Sequence, residues 1–210
     1  MYMPRLVRGG QEERMPEGTN RTRQELDAAL RDLLKRRPLD QIRVRELMEL
    51  CGLRRQSFYY HFKDVFELFA WSVRQERERL LERQGECLTW RQALMDLMDR
   101  VDGNRAFYLA VLNQDGQAGL EGLIPLEETV RAAQRYYRDR SGVPPDPEGE
   151  ERSCRCIVAV LLSLLESWIR GGLAQPPEEL AAVLEKTAER MAEGEAWRTL
   201  WERGDWDERI

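Results

Sequence analysis

Apolar residues recur along this chain at every third or fourth position and almost nowhere at every second, which points to helices throughout. The segment "TRQELDAALRDLLKRR" shows it plainly, with Leu26, Ala29, Leu30, Leu33 and Leu34 on one helical stripe. Thr22 with Glu25 makes a capping pair at its start, and Pro38 ends it. "VRELMELC" follows as a short helix with Val44, Leu47, Leu50 and Cys51 facing inward. Gly52 is then a stop that tolerates positive φ. A second short helix runs from Arg54 to about Phe62, holding Leu53, Phe58 and Phe62 inward. A long helix is expected over Asp64–Gln84. Its first half is apolar on Val65, Phe66, Leu68, Phe69 and Trp71, and its charged second half reads as a bridge to the next module. Further helices fit Trp90–Val101, Asn104–Gln114, Ile124–Arg140, Arg152–Arg170 and Pro177–Ala192, with Ser141–Glu150 as a loop. The expected class is all-α with about nine helices.

The 210 residues suit one domain or two small ones. The longest apolar run, "CIVAVLLSLL" from Cys156 to Leu165, is far short of the roughly 18–20 residues of a membrane span. The opening "MYMPRLVRGG" lacks the pattern of a secretory signal. The four cysteines carry no disulfide-framework spacing, so a cytoplasmic location with reduced thiols is expected. Cys154 and Cys156 in "SCRC" read as packed thiols, with a redox or metal sensor as the alternative. No metal or cofactor is implied.

Nothing here reads as an enzyme. There is one histidine, His61, and it lies among arginines and tyrosines rather than beside a nucleophile. No GxSxG, GxGxxG, P-loop or HExxH pattern occurs. The charge is informative instead. The net is −5, yet Asn20–Lys63 carries 11 Lys+Arg against 6 Asp+Glu, and the remainder 22 against 32. A basic amino-terminal module on an acidic body suggests a phosphate-binding end.

Two short helices about Gly52 form a helix-turn-helix, whose second helix can enter a DNA major groove. Its outward set is Arg54, Arg55, Gln56, Ser57, Tyr59, Tyr60 and His61. Arginine matches guanine O6/N7, glutamine matches adenine N6/N7, and hydroxyls hold phosphates. The expected helix caps are Arg43 and Arg54, where Ser, Thr, Asp or Asn would stabilise by about 1 kcal/mol. Arginine caps nothing there, so the pair reads as a phosphate clamp at two helix starts.

The stretch "VRELMELCGLRRQSFYYHFKDVFEL", Val44–Leu68, resembles the DNA-binding segment of TetR-type transcriptional regulators, with their "FYxHF" ending and "K-(D/S)-x-x-x-L" start of the fourth helix. The match spans about Thr22–Leu68. "RQSFYYHFKDVFEL" also resembles the subset around the dihydroxyacetone-kinase-operon regulator. Arg43, Arg54 and Gln56 depart from the family's common Ser or Thr and Gly. The resemblance implies a disordered tail (1–19), a three-helix helix-turn-helix DNA-binding domain (20–66), a helical ligand-binding and dimerisation domain (67–193) and a tail (194–210) holding Trp197, Trp201 and Trp206. It implies that Tyr59, His61 and Lys63 hold phosphates, that Arg54, Arg55, Gln56 and Ser57 face bases, and that Arg43 and Arg45 meet the backbone.

It also implies a small-molecule effector between body helices, with Met95, Met98, Phe107, Tyr108, Leu112, Tyr136, Tyr137 and Trp168 as candidate lining. A homodimer would join through Val158, Leu161, Leu165, Leu180, Val183 and Leu184, and Met191 lies on the same last helix. The function implied is a ligand-responsive repressor on a palindromic operator of double-stranded DNA, with no membrane role. The alternatives are an activator, or a helical adaptor acting through a protein partner.

Overall fold

The computed structural model describes residues 17–86, 89–114, 119–141 and 147–193. Among them it has ten α-helices and one 3₁₀ turn, and no strand. Helix α1 is Glu17–Leu34, followed by the 3₁₀ turn Leu39–Gln41. The pair α2 (Val44–Cys51) and α3 (Arg55–His61) comes next, then α4 (Val65–Glu86). The body adds α5 (Trp90–Gly103), α6 (Arg105–Leu112), α7 (Leu120–Leu123), α8 (Leu126–Ser141), α9 (Pro147–Arg170) and α10 (Pro177–Glu193).

The α1 stripe is as the spacing predicts: Leu26, Ala29, Leu30, Leu33 and Leu34 are all buried. The helix begins at Glu17, however, a turn before the Thr22–Glu25 pair and inside the tail expected at 1–19. Nothing in between stops a helix, since a single interior glycine such as Gly18 costs only about 1 kcal/mol. Residues 1–16 and 194–210, with the three tail tryptophans, lie outside the described residues.

The turn between α2 and α3 rests on Gly52. Its φ of 63° is left-handed, and its N–H closes on the Met48 carbonyl. Leu53 N–H reaches the same oxygen at 3.2 Å, completing a helix C-terminal motif that a β-carbon would strain. Leu50, expected inward, is 50% exposed, and Met48 is buried in its place. At 100° per residue, Leu50 stands about 110° from the centre of the Val44–Leu47–Met48–Cys51 face. Phe66 errs in the same way: it is 52% exposed, while Val65, Leu68 and Phe69 are buried.

Two short elements, the 3₁₀ turn and α7, are additions to the expected nine helices. The loop expected over Ser141–Glu150 is shorter at both ends, since α8 includes Ser141 and α9 opens at Pro147. Proline suits a first helical position because its missing N–H would be unbonded there anyway.

Helix α1 packs on α2, α4 and α6; α8 packs on α9, and α10 on α5, α8 and α9. One continuous buried cluster runs from Leu26 to Leu184 and ties the α1–α3 unit to the body. The charged half of α4 does more than bridge. Its buried face carries Ser72 and Glu76, which are 0% and 1% exposed. Among the described residues no helix is long and apolar enough to cross a membrane.

Candidate nucleic-acid interface

Arg43 is the N-cap of α2 (φ −112°, ψ 145°) and Arg54 the N-cap of α3 (φ −81°, ψ 148°), as the sequence suggests. Arginine has no acceptor and so caps neither helix. At α2, Glu46 compensates: its Oε2 accepts the Arg43 N–H at 3.0 Å, while its Oε1 pairs with Arg37. Helix α4 starts conventionally, with Asp64 Oδ1 accepting the Glu67 N–H at 2.8 Å. The Glu67 carboxylate turns back to the Lys63 N–H.

On α3, Phe58 is fully buried and sets the inward direction. Opposite it, at 100° per residue, stand Gln56 and Tyr60. Tyr60 is 78% exposed, against 52% for Tyr59. Arg55 and Tyr59 form one flank, the guanidinium carbon 5.9 Å from the ring centroid. Ser57 and His61 form the other flank and are half-buried. Arg54, Arg55, Gln56, Tyr59, Tyr60 and Lys63 are all exposed. Seven neighbouring helical residues cannot all face one groove, so the helix divides them into a pole and two flanks.

Arg43, Arg45 and Arg55 meet in one groove of about 680 Å³, floored by Ile42, Val44, Val65 and Phe66. Asp40, Glu46 and Asp64 also line it, as does Arg37. Arg45 pairs with Glu49 at 3.3 Å in an exposed position. Such a pair is worth little and is readily exchanged for a phosphate.

Burial pushes the His61 pKa below the ordinary 6.5, and the nearby Arg23 guanidinium lowers it further. Its Nδ1 is buried without a partner, which leaves Nε2 as the ring nitrogen for an outside group. Arg23 itself lies 5.7 Å from the Phe62 centroid, with its Nε buried and unpartnered. Sequence reasoning missed Arg23, because nothing local separates it from Arg21, which merely pairs with Glu25 at 3.0 Å.

The TetR-type model described as "Transcriptional regulator C-terminal region" matches residues 88–190, the body rather than the helix-turn-helix. A curated relative, the HTH-type dhaKLM operon transcriptional activator DhaS of Lactococcus lactis subsp. lactis (strain IL1403), is 30% identical over 80 residues. That match covers 38% of this chain and 43% of the relative, so the chain spans less than half of the relative's length. The solved structure of the dihydroxyacetone kinase operon activator DhaS superposes with a TM-score of 0.67 at 21% identity, over 81% of this chain and 96% of the other. A tetR-family regulator from Streptomyces coelicolor gives 0.63 at 20% identity, over 88% of both chains. NalD, the secondary repressor of the MexAB-OprM efflux pump in Pseudomonas aeruginosa, gives 0.57 at 19%, over 83% of this chain and 97% of the other.

The body of this chain, residues 88–190, matches a TetR-type regulator C-terminal region, and its fold is that of TetR-family regulators.

In this TetR-family body several residues expected at a ligand have intramolecular work. The Tyr108 hydroxyl donates to Glu76 Oε1 at 3.0 Å. The Trp168 indole N–H donates to the Gln175 carbonyl at 2.9 Å and pins the α9–α10 turn. The Phe107 ring lies 4.0 Å from the Arg31 guanidinium carbon. Met98 is fully buried, Met95 and Leu112 are half-buried, and the side chains of Tyr136 and Tyr137 are outside the described set.

The dimer residues need correction. Val158, Leu161, Leu165, Leu180 and Leu184 are all buried inside the single subunit, and only Val183, 51% exposed, is open to a partner. The apolar faces of α9 and α10 are satisfied by α5, α6 and α8, so they are not surface. Met191 lies on α10 with its side chain outside the described set.

Proposed function

We propose that this chain is a sequence-specific DNA-binding regulator that acts in the cytoplasm as a homodimer on a palindromic operator, as a repressor released by a small-molecule effector. The observation that carries DNA binding is the α3 surface: Gln56 and Tyr60 at its pole, with Arg43, Arg45 and Arg55 lining one adjoining groove. With α3 in a major groove, Gln56 and Arg55 reach base edges. Arg43, Arg45, Tyr59, His61 and Lys63 meet phosphates on either side, and Arg54 and Ser57 fill the space between.

Dimerisation uses the outward faces of α9 and α10, where Ala159, Ser163, Ala182 and Val183 are exposed and small enough for close helix approach. Two recognition helices in adjacent major grooves then stand about 34–36 Å apart. An effector bound in the body would shift that spacing and release the operator.

The similarity to DhaS, a protein named as an activator, favours activation as the second reading. A protein adaptor, the third, would bind DNA only non-specifically. Gel-shift titrations at several salt concentrations test the assignment. Arg55→Ala should flatten the preference among operator variants, whereas Lys63→Ala should weaken all sequences alike and lower the salt slope by about 1. The reverse pattern would sink it.

A further inference from the structure

A buried polar cluster lies where α1 meets the body, and nothing in the DNA-binding surface uses it. Its centre is the Glu76 carboxylate on α4, which is 1% exposed. Oε2 accepts from Arg31 Nη2 at 3.0 Å and Arg79 Nη1 at 3.3 Å. Oε1 accepts from the Tyr108 hydroxyl at 3.0 Å and Arg100 Nη1 at 3.3 Å. Four helices, α1, α4, α5 and α6, therefore converge on one carboxylate.

The DNA-binding unit reaches this carboxylate through one guanidinium, that of Arg31. Arg31 Nε holds Asp27 Oδ2, one turn earlier on α1, at 3.1 Å, and Nη1 lies 3.5 Å from Asn104 Oδ1 at the start of α6. Its plane rests on Phe107 of α6, 4.0 Å from the ring centroid. Each of the three guanidinium nitrogens and one face of the group is thus engaged, by partners on α1, α4 and α6. A planar fork used this way fixes an angle as well as a charge, which an ammonium cannot do.

Arg31 is not the sole partner of Glu76, because Arg79, Arg100 and Tyr108 also contact its two oxygens. Likewise the α1 stripe is buried without it. From this redundancy we infer that Arg31 is a positioning residue, setting the tilt of the α1–α3 unit on the body and hence the half-site spacing the dimer accepts. The clause on spacing rests on the proposed dimeric operator reading, whereas the tilt itself does not.

The test therefore starts without DNA. Spin labels carried on keto amino acids at Gln24 of α1 and Arg131 of α8, both exposed, leave the native cysteines untouched. The labelled chain is diluted in unlabelled protein, and the interspin distance is measured in the parent, Asp27→Asn/Arg31→Met, and Arg31→Lys. The double variant avoids stranding Asp27.

The parent should give one narrow distance peak and both variants a broadened or shifted one, with Arg31→Lys failing to rescue. An unchanged peak in both, even with lowered melting temperature, would reduce Arg31 to a structural contact and overturn the proposal. Full rescue by lysine would overturn it too. The same proteins are then titrated with operators whose half-sites are moved apart or together by one and two base pairs. The parent should prefer one spacing by at least tenfold and the variants by less than threefold. A parent that selects no sequence at all would defeat the operator reading, while the distance data still judge the tilt.

Discussion

Replacing Glu76 with glutamine keeps the side-chain shape and removes the charge on which three arginines converge. Breaking a buried pair by removing one partner costs about 3–5 kcal/mol. Two features of the structure favour the lower end. Arg31 retains Asp27 at 3.1 Å, and Arg100 retains Asp96 at 3.8 Å, so neither guanidinium is abandoned. A loss of about 3 kcal/mol is expected at pH 7, which moves a urea midpoint by roughly 1 M at the slope of about 3 kcal/mol/M seen in small proteins.

The loss should depend on pH in a definite direction. Burial pushes the Glu76 carboxyl up, but Arg31, the Tyr108 hydroxyl, Arg100 and Arg79 outweigh it and hold the pKa below the ordinary 4.5. A depressed carboxyl contributes stability above the unfolded value and loses it as pH falls through the folded one. The gap between parent and Glu76→Gln should therefore be full at pH 7 and close progressively below about pH 4.5. Equilibrium urea unfolding of both proteins, at one fixed protein concentration from pH 7 to pH 3, measures it. A variant within about 0.5 kcal/mol of the parent at pH 7, or a gap that widens in acid, would refute the reasoning.

Other expectations concern the recognition unit and the dimer. Gly52→Ala meets no steric obstacle but must hold φ at 63°, so it should lower stability by about 1–2 kcal/mol in the same unfolding assay. Met48→Ala should cost about 2–5 kcal/mol and Leu50→Ala close to nothing, reversing the order their neighbourhood in sequence suggests. If His61 meets a phosphate, DNA raises its lowered pKa, so binding should tighten as pH falls below 6.5; His61→Gln should flatten that profile in fluorescence titrations. If the chain dimerises as proposed, Val183→Asp should leave it monomeric in analytical ultracentrifugation without unfolding the subunit, since the side chain is already 51% exposed.

The local features of this protein were legible in its sequence. The α1 stripe, the left-handed Gly52 and the two arginine N-caps each follow from a few neighbouring residues, and each is found. Phase errors of one residue misplaced Leu50 and Phe66, because an apolar residue beside an inward face looks inward until the helix rotation is fixed. The Glu76 cluster was invisible for another reason. In "RQERERLLER" a buried glutamate looks like its solvated neighbours, and its partner Arg31 is 45 residues away. The dimer residues failed on a different ambiguity: an apolar face shows that something covers it, not whether that is the same subunit or another. Arg23 was missed since its relation to His61 and Phe62 exists only across the fold.

The central claim is that α3 reads DNA sequence, and it is tested most directly by selection from a random double-stranded library using the whole chain at 150 mM salt. The expected result is an enriched inverted repeat, with half-sites about 34–36 Å apart, that is lost with Gln56→Ala/Tyr60→Ala. A library that returns no motif, while the protein retains only weak binding that disappears steeply with added salt, would contradict it.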